Sequence, residues 1–258
     1  MASPINQENS IESSCFVLVF ERAFHKQELL SLSRLEHLFH DNLPSFRQIN
    51  SIKLKLVDGA TAEQTQDISG VVLQCFKNNG KPSWELKIEN NTIEVSCFAY
   101  DDWAVVWGKT QHYLLEAIKS IEADNNRLVI CVLKIIDKFL SNVDNYHVGD
   151  IFSSDTPYLT QNILNKEHVE LWHVFQGWFE QSDDKVYLNN LNLITSNENG
   201  KITTTIDHAV QCQFINNPQL ISDFKVSELD VVFSELHKKN KAILRGLLND
   251  TQRERIGL

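Results

Sequence analysis

Trp84-Glu85-Leu86-Lys87-Ile88, then Glu89-Asn90-Asn91-Thr92, then Ile93-Glu94-Val95-Ser96-Cys97-Phe98 is the stretch whose reading decides the fold. Each arm alternates apolar and polar side chains, the period of a strand with one dry face. Asparagine tolerates the left-handed backbone of a tight turn, so the arms are expected to form an antiparallel hairpin.

Working outward toward the amino terminus, Val71–Phe76 reads as a strand and the polar, unperiodic run from Asp58 to Gly70 as an exposed loop. Ile52, Leu54 and Leu56 alternate with Lys53 and Lys55, which describes a strand with one wet face. Cys15–Phe24 predicts the opening strand. Leu29, Leu32, Leu35, Phe39 and Leu43 then recur at helical spacing until Pro44 stops the run. Toward the carboxy terminus, Asp101 or Asp102 can cap a helix whose stripe runs from Trp103 through Val106, Trp107, Thr110, Leu114 and Ala117 to Ile121. A strand at Arg127–Phe139 follows.

Ser154-Asp155-Thr156-Pro157 announces a short helix to about Leu164. The runs 168–180, 185–195 and 201–214, separated by polar turns, predict a three-stranded meander. A last helix starts at Ser227, with Asp230 three residues on in a capping-box arrangement, and runs to about Asn249. The fold expected is α+β, mainly antiparallel sheet covered by helices, arranged as two related lobes that share a core. Residues 1–14 read as a flexible tail, 15–143 as the first lobe and 144–258 as the second.

Apolar residues make up 42% and charged residues 22% of the 258, an ordinary balance that excludes disordered and fibrous classes. Cys15, Cys75, Cys97, Cys131 and Cys212 are an odd number, far apart and set in apolar runs, so they read as reduced thiols. Residues 1–14 show neither a basic segment nor an apolar core of an export signal, and the longest apolar runs fall short of the roughly 20 residues of a membrane span. The expected location is the cytoplasm. The net charge of −10 disfavours nucleic acid as a partner, since phosphate binding depends on Lys and Arg. From His237 to Leu258, however, six basic residues face two acidic ones, a balance that suits a helix carboxy terminus.

No phosphate-cradling, nucleophile-elbow or zincin motif is present, and with nine glycines such loops are scarce. One catalytic pattern deserves a test: Asp67 followed by Glu85 and Lys87, the D…E-x-K arrangement in which two carboxylates hold Mg²⁺ while Lys stabilises developing charge. Glu85 and Lys87 project from one face of a strand. His37 and His40 share a helix face but have no further ligands at an interpretable spacing. Asp207 and His208 are adjacent in a strand and point opposite ways, so they cannot act as an acid–base pair. No resident cofactor is expected, Mg²⁺ entering only under the nuclease alternative. Trp84, Trp103, Trp107, Trp172 and Trp178 read first as core.

The most distinctive pattern is in the last helix, where Val226, Leu229, Phe233, Leu236, Asn240, Ile243 and Leu247 recur at steps of three and four. A polar residue in such a seam can fix register or partner choice. Phe233, Leu236, Asn240, Ile243 and Leu247 therefore form the expected partner surface, for another protein or a second copy.

The opening strand and Leu-rich helix, Tyr100-Asp101-Asp102-Trp103, Arg127-Leu128-Val129-Ile130, and Leu236-His237 with Asn240-Lys241 and Leu247-Leu248 together resemble a sporadically distributed family of bacterial proteins of unassigned function. Tyr100, Trp103 and Arg127 carry the family-like motif. Where that family continues its strand with a polar aromatic, Ile and Asn, this chain reads Leu133-Lys134-Ile135-Ile136-Asp137. The resemblance implies a defence-type or toxin–antitoxin setting and supplies no catalytic residues. The expected function is thus a non-enzymatic interaction subunit or regulator. The alternatives are the D…E-x-K nuclease or phosphodiesterase and an acidic mimic of nucleic acid.

Overall fold

The computed structural model describes every residue of the chain except 1, 7, 58–60, 124, 166–170, 183–184, 199, 215–217 and 222–224. In chain order the elements are β1 (Ser3–Pro4), β2 (Ile11–Phe20), α1 (Lys26–Ser31), α2 (Arg34–Leu38), β3 (Ser45–Val57), β4 (Thr61–Phe76), β5 (Pro82–Glu89), β6 (Thr92–Cys97) and α3 (Trp103–Ile121). There follow β7 (Arg127–Asn142), α4 (Gln161–Leu164), β8 (His173–Ser182), β9 (Lys185–Glu198), β10 (Lys201–Gln213), β11 (Gln219–Leu220), α5 (Val226–Leu247) and α6 (Asp250–Arg255). The chain is α+β, and the pairs β1–β7, β3–β4, β4–β5, β5–β6, β8–β9, β9–β10 and β7–β11 are antiparallel. The order of a strand, short helices, an antiparallel meander and a long helix occurs twice, from β2 to α3 and from β7 to α5.

The chain divides by contact into two compact units with interleaved sequences. The first comprises Cys15–Cys131 and Phe214–Asp230; the second comprises Met1–Ser14, Val132–Gln213 and Val231–Leu258.

In the first unit the strand order is β3-β4-β5-β6-β2-β7. The hairpin forms in the expected register, with Leu86 opposite Val95, Ile88 opposite Ile93 and Glu89 opposite Thr92. Asn90 takes φ 55° in the turn. Trp84, Leu86, Ile88, Ile93, Val95 and Cys97 turn one buried face toward the core. Asp102 caps α3, accepting the Ala104 N–H at 2.8 Å, and Val106, Trp107, Thr110, Leu114, Ala117 and Ile121 are the buried stripe. Trp103 stacks on Trp107 with centroids 6.2 Å apart, and Phe16 lies 5.7 Å from Trp107.

Three expectations change in this unit. The loop expected from Asp58 to Gly70 is strand from Thr61 onward, paired with β3 from Val57–Thr61 to Ser45–Gln74, while 58–60 lie outside the described residues. Backbone pairing makes that strand, and the sequence Thr61-Ala62-Glu63-Gln64-Thr65-Gln66-Asp67 has no apolar alternation to announce it. The single helix expected over Leu29–Leu43 is two short helices, although Leu29, Leu32, Leu35, Phe39 and Leu43 are all buried. Asp230 takes no part in a capping box. It accepts the Trp107 indole N–H at 2.6 Å, while Glu228 receives the Lys225 backbone N–H at 3.2 Å.

In the second unit the order is β7-β10-β9-β8, the expected meander. Thr204 stands opposite Thr195 and Cys212 opposite Tyr187, while His173 stands opposite Ile194 and Phe179 opposite Leu188. Leu191, Leu193, Ile202 and Ile206 pack with Phe152 and with Ile243, Leu244 and Leu247 of α5. Residues 1–14, expected as a flexible tail, hold β1 and the beginning of β2. Pro4 pairs with Phe139, Ala2 is fully buried, and the Ala2 carbonyl accepts from Gln252 at 3.1 Å and Arg255 at 2.6 Å. A polar composition hides this because the segment is held by backbone pairing and by polar contacts, Ser10 with Asp137 and Glu12 with Lys138, which leave no apolar periodicity in the sequence.

None of the five cysteines is joined in a disulfide, and three of them are buried. Among the described residues no helix is long and apolar enough to cross a membrane.

Candidate interaction surface

The seam of α5 is internal. Phe233, Leu236, Asn240, Ile243 and Leu247 are all buried, with Ile243 and Leu247 in the apolar core of the second unit. This overturns their assignment as an exposed partner surface: an apolar stripe at helical spacing is also what a helix needs to cover its own sheet, and here it does so. Asn240 is polar because it faces a polar patch. Its Nδ2 lies 3.1 Å from His208 Nδ1, His208 Nε2 lies 3.2 Å from Asn189 Oδ1, and Asn189 Nδ2 donates to Glu180 Oε1 at 2.9 Å. Glu180 also accepts from the Trp178 indole at 3.0 Å and pairs with Lys239, whose ammonium sits 4.3 Å above the Tyr187 ring.

This chain of bonds determines the charges. Burial pushes His208 down to about 4, against the opposing pull of Glu180, so the imidazole is neutral at physiological pH. Burial pushes Glu180 upward, but Lys239, Trp178 and Asn189 more than offset it and hold the carboxyl below its ordinary range. Asp207, adjacent to His208, faces the other way and pairs with Lys134 at 3.1 Å, as strand parity requires.

The nuclease pattern does not assemble. Glu85 stands opposite Gln74, seven residues along β4 from Asp67, which is about 23 Å at roughly 3.3 Å per residue. No single ion bridges carboxylates so far apart. Each group has a local partner instead: Asp67 pairs with Lys26 at 2.7 Å, Glu85 accepts from Gln74 at 2.5 Å, and Lys87 pairs with Glu89 at 2.6 Å. Among the described residues no cluster of three His, Cys, Asp or Glu side chains could hold a metal. Of the family-like motif, Trp103 joins the aromatic stack with Phe16 and Trp107, Tyr100 is half-buried, and Arg127 is exposed where β7 meets Leu220 of β11. His37 and His40 are exposed.

The surface that stands out is on β8, the last strand of the order. Phe175 and Phe179 are each 66% exposed and Leu171, just before the strand, is 61% exposed. His173, Phe175, Gly177, Phe179 and Gln181 share this outward face, continued by Leu188, Asn190, Asn192 and Ile194 on β9. None of these nine is Asp, Glu, Lys or Arg, and the Asp207 carboxylate on β10 is paired. Natural edges are usually blunted by Lys, Pro or a bulge; β8 reads His-Val-Phe-Gln-Gly-Trp-Phe-Glu-Gln-Ser and contains no Lys, Arg or Pro. In the first unit the edge strand β3 includes Arg47, Lys53 and Lys55 in its sequence.

The signal for this surface was present in the sequence. Val174, Gln176 and Trp178 alternate with Phe175, Gly177 and Phe179, so both strand faces carry aromatic residues and only one can be covered by the core.

No protein-family description and no curated protein matches the chain. Two solved structures show a slight likeness. The di-domain ARO/CYC BexL from the BE-7585A biosynthetic pathway is 10% identical, with 90% of this chain and 96% of that chain covered, at a TM-score of 0.20. The di-domain ARO/CYC StfQ from the steffimycin biosynthetic pathway is 9% identical, with 95% and 99% covered, at a TM-score of 0.17. Likenesses of this size say nothing about what the chain does.

Proposed function

We propose that the chain is a non-enzymatic protein-interaction subunit or regulator that docks its partner along β8. One observation carries this reading: a ten-residue edge strand without Lys, Arg or Pro exposes two phenylalanines on an uncharged face. Strand addition suits such an edge, because main-chain hydrogen bonds supply affinity and alternate side chains supply specificity. The buried Asn240, His208 and Asn189, joined to the half-exposed Glu180, lie behind the same meander and hold α5 against it. Their role is to keep the sheet rigid, since a satisfied buried polar network fixes one packing.

The defence-type or toxin–antitoxin setting implied by the bacterial resemblance indicates where to look for partners, among the products of adjacent genes. The test is light scattering of the purified chain, alone and mixed with those products, beside a Phe175→Ser/Phe179→Ser variant whose circular dichroism matches the parent. The expected result is a species heavier than the 29.7 kDa chain that the variant loses. A 29.7 kDa monomer in every mixture overturns the reading.

A further inference from the structure

We infer that the partner at β8 is a second copy of this chain, its β8 paired antiparallel with the first about a two-fold axis at Gly177. This inference rests on the reading of β8 as a docking edge and goes further by naming the occupant and the register.

Backbone parity supplies the first reason. The Thr195 N–H donates to the Trp172 carbonyl at 3.0 Å, so even-numbered residues of this strand direct their backbone groups toward β9. Odd-numbered residues therefore direct theirs outward, and among the described residues no backbone bond from outside the ladder reaches them. A second β8 bonds to this edge only in a register that sets odd residues opposite odd residues.

Self-complementarity selects the register. With Gly177 opposite Gly177 of the second copy, Phe175 stands opposite Phe179 of that copy, and the same pair recurs across the axis. His173 stands opposite Gln181, so nine of the ten residues of β8 are spanned. Shifting the register by two residues in the sense that sets Gly177 opposite Phe179 breaks both aromatic pairs. Cross-strand aromatic pairs stabilise a ladder, and a glycine at the axis leaves the face open between the two aromatic pairs.

Charge supplies the third reason. A chain of net charge −10 repels its own copy unless the contact face is neutral. The outward residues His173, Phe175, Gly177, Phe179 and Gln181 of β8 and Leu188, Asn190, Asn192 and Ile194 of β9 include no Asp, Glu, Lys or Arg, and the carboxylate of Glu180 is directed inward to Lys239, Trp178 and Asn189.

The experiment uses Phe175→Cys and Phe179→Cys, each oxidised alone and as an equimolar mixture, with the parent chain as the control for native thiols. In the inferred register positions 175 and 179 lie about 5.5 Å apart between Cα atoms, within disulfide reach. Two copies of position 175 are offset by four residues, about 13 Å, and cannot join. The expected result is at least tenfold more linked dimer in the mixture than in either variant alone, together with a light-scattering mass of twice 29.7 kDa for the parent. Linkage within a single variant, or no linkage despite a parental dimer, overturns the register and with it the inference. A parent that is monomeric alone but forms a complex with another protein, lost in Phe175→Ser/Phe179→Ser, overturns the second copy while keeping β8 as a docking edge. Loss of both results removes both readings.

Discussion

Asn240 and His208 form a buried pair in which the Asn240 Nδ2 lies 3.1 Å from His208 Nδ1, while His208 Nε2 reaches Asn189 Oδ1 at 3.2 Å. One neutral tautomer satisfies both bonds, with the proton on Nε2 donated to Asn189 and Nδ1 accepting from Asn240. Asn240→Leu keeps the volume but leaves His208 Nδ1 buried without a donor, at a cost of about 1–3 kcal/mol. The urea midpoint of this variant is expected to fall while its light-scattering mass stays that of the parent. A changed mass with an unchanged midpoint would return Asn240 to a partner interface.

The same imidazole gives the stability a pH dependence. Burial lowers His208 to about 4 and His237 to about 4, the latter helped by Lys241. An unfolded histidine titrates near 6.5, so between 6.5 and 4 the unfolded chain binds protons that the folded chain refuses. The stability each histidine contributes is complete above about 6.5 and is lost as pH falls toward 4. For His208 the full span amounts to about 3 kcal/mol. Urea titrations from pH 7 to pH 4.5 should show falling stability, with a shallower slope in His208→Gln; equal slopes would show that His208 does not carry the effect.

Asp137 works in the opposite direction. It is buried on β7, its Oδ1 accepts from Ser10 Oγ at 2.6 Å, and its Oδ2 has no hydrogen-bond partner among the described residues. Burial raises it to about 6, with Ser10 opposing. A raised carboxyl contributes stability that is complete below its unfolded value near 3.9 and is lost as pH rises through about 6. Asp137→Asn keeps the Ser10 bond and removes the buried charge. Its melting temperature should match the parent near pH 4 and exceed it at pH 8, where the gain is up to about 3 kcal/mol.

These groups mark how far the sequence could be read. The hairpin around Asn90, the Asp102 cap and the meander from β8 to β10 were legible because each rests on a local signal: a left-handed turn residue, a side-chain acceptor, or period-two alternation. The apolar seam of α5 was legible as a pattern but not as a destination, since the same spacing serves a partner or the helix's own sheet. His208 was read correctly as opposite in facing to Asp207, yet nothing local linked it to Asn189, nineteen positions away, or Asn240, thirty-two positions away. The strand at Thr61–Asp67 and the pairing of Ser3–Pro4 with Phe139 and Leu140 are backbone events between distant residues, and side-chain periodicity does not record them.

Gly70 and Gly108 supply a paired test of that distinction, since the two glycines look alike in sequence and differ in surroundings. Gly70 lies on β4 opposite Glu89, beside the register shift at Ile49 and Asn50 of β3. A Cβ built there would lie 2.2 Å from the Ile88 carbonyl oxygen and 3.0 Å from Glu89 Cα, both backbone atoms that cannot yield without parting the strands. Gly70→Ala should therefore cost about 3 kcal/mol, with slower refolding if the β4–β5 pair forms early. Gly108 is exposed within α3, and a Cβ there meets nothing within 4 Å. Gly108→Ala relieves the entropic penalty of a helical glycine and should stabilise by about 1 kcal/mol. Chemical denaturation of the two variants beside the parent should give shifts of opposite sign; a stabilised Gly70→Ala would mean that β4 and β5 do not approach as closely as the Gly70–Glu89 pairing requires.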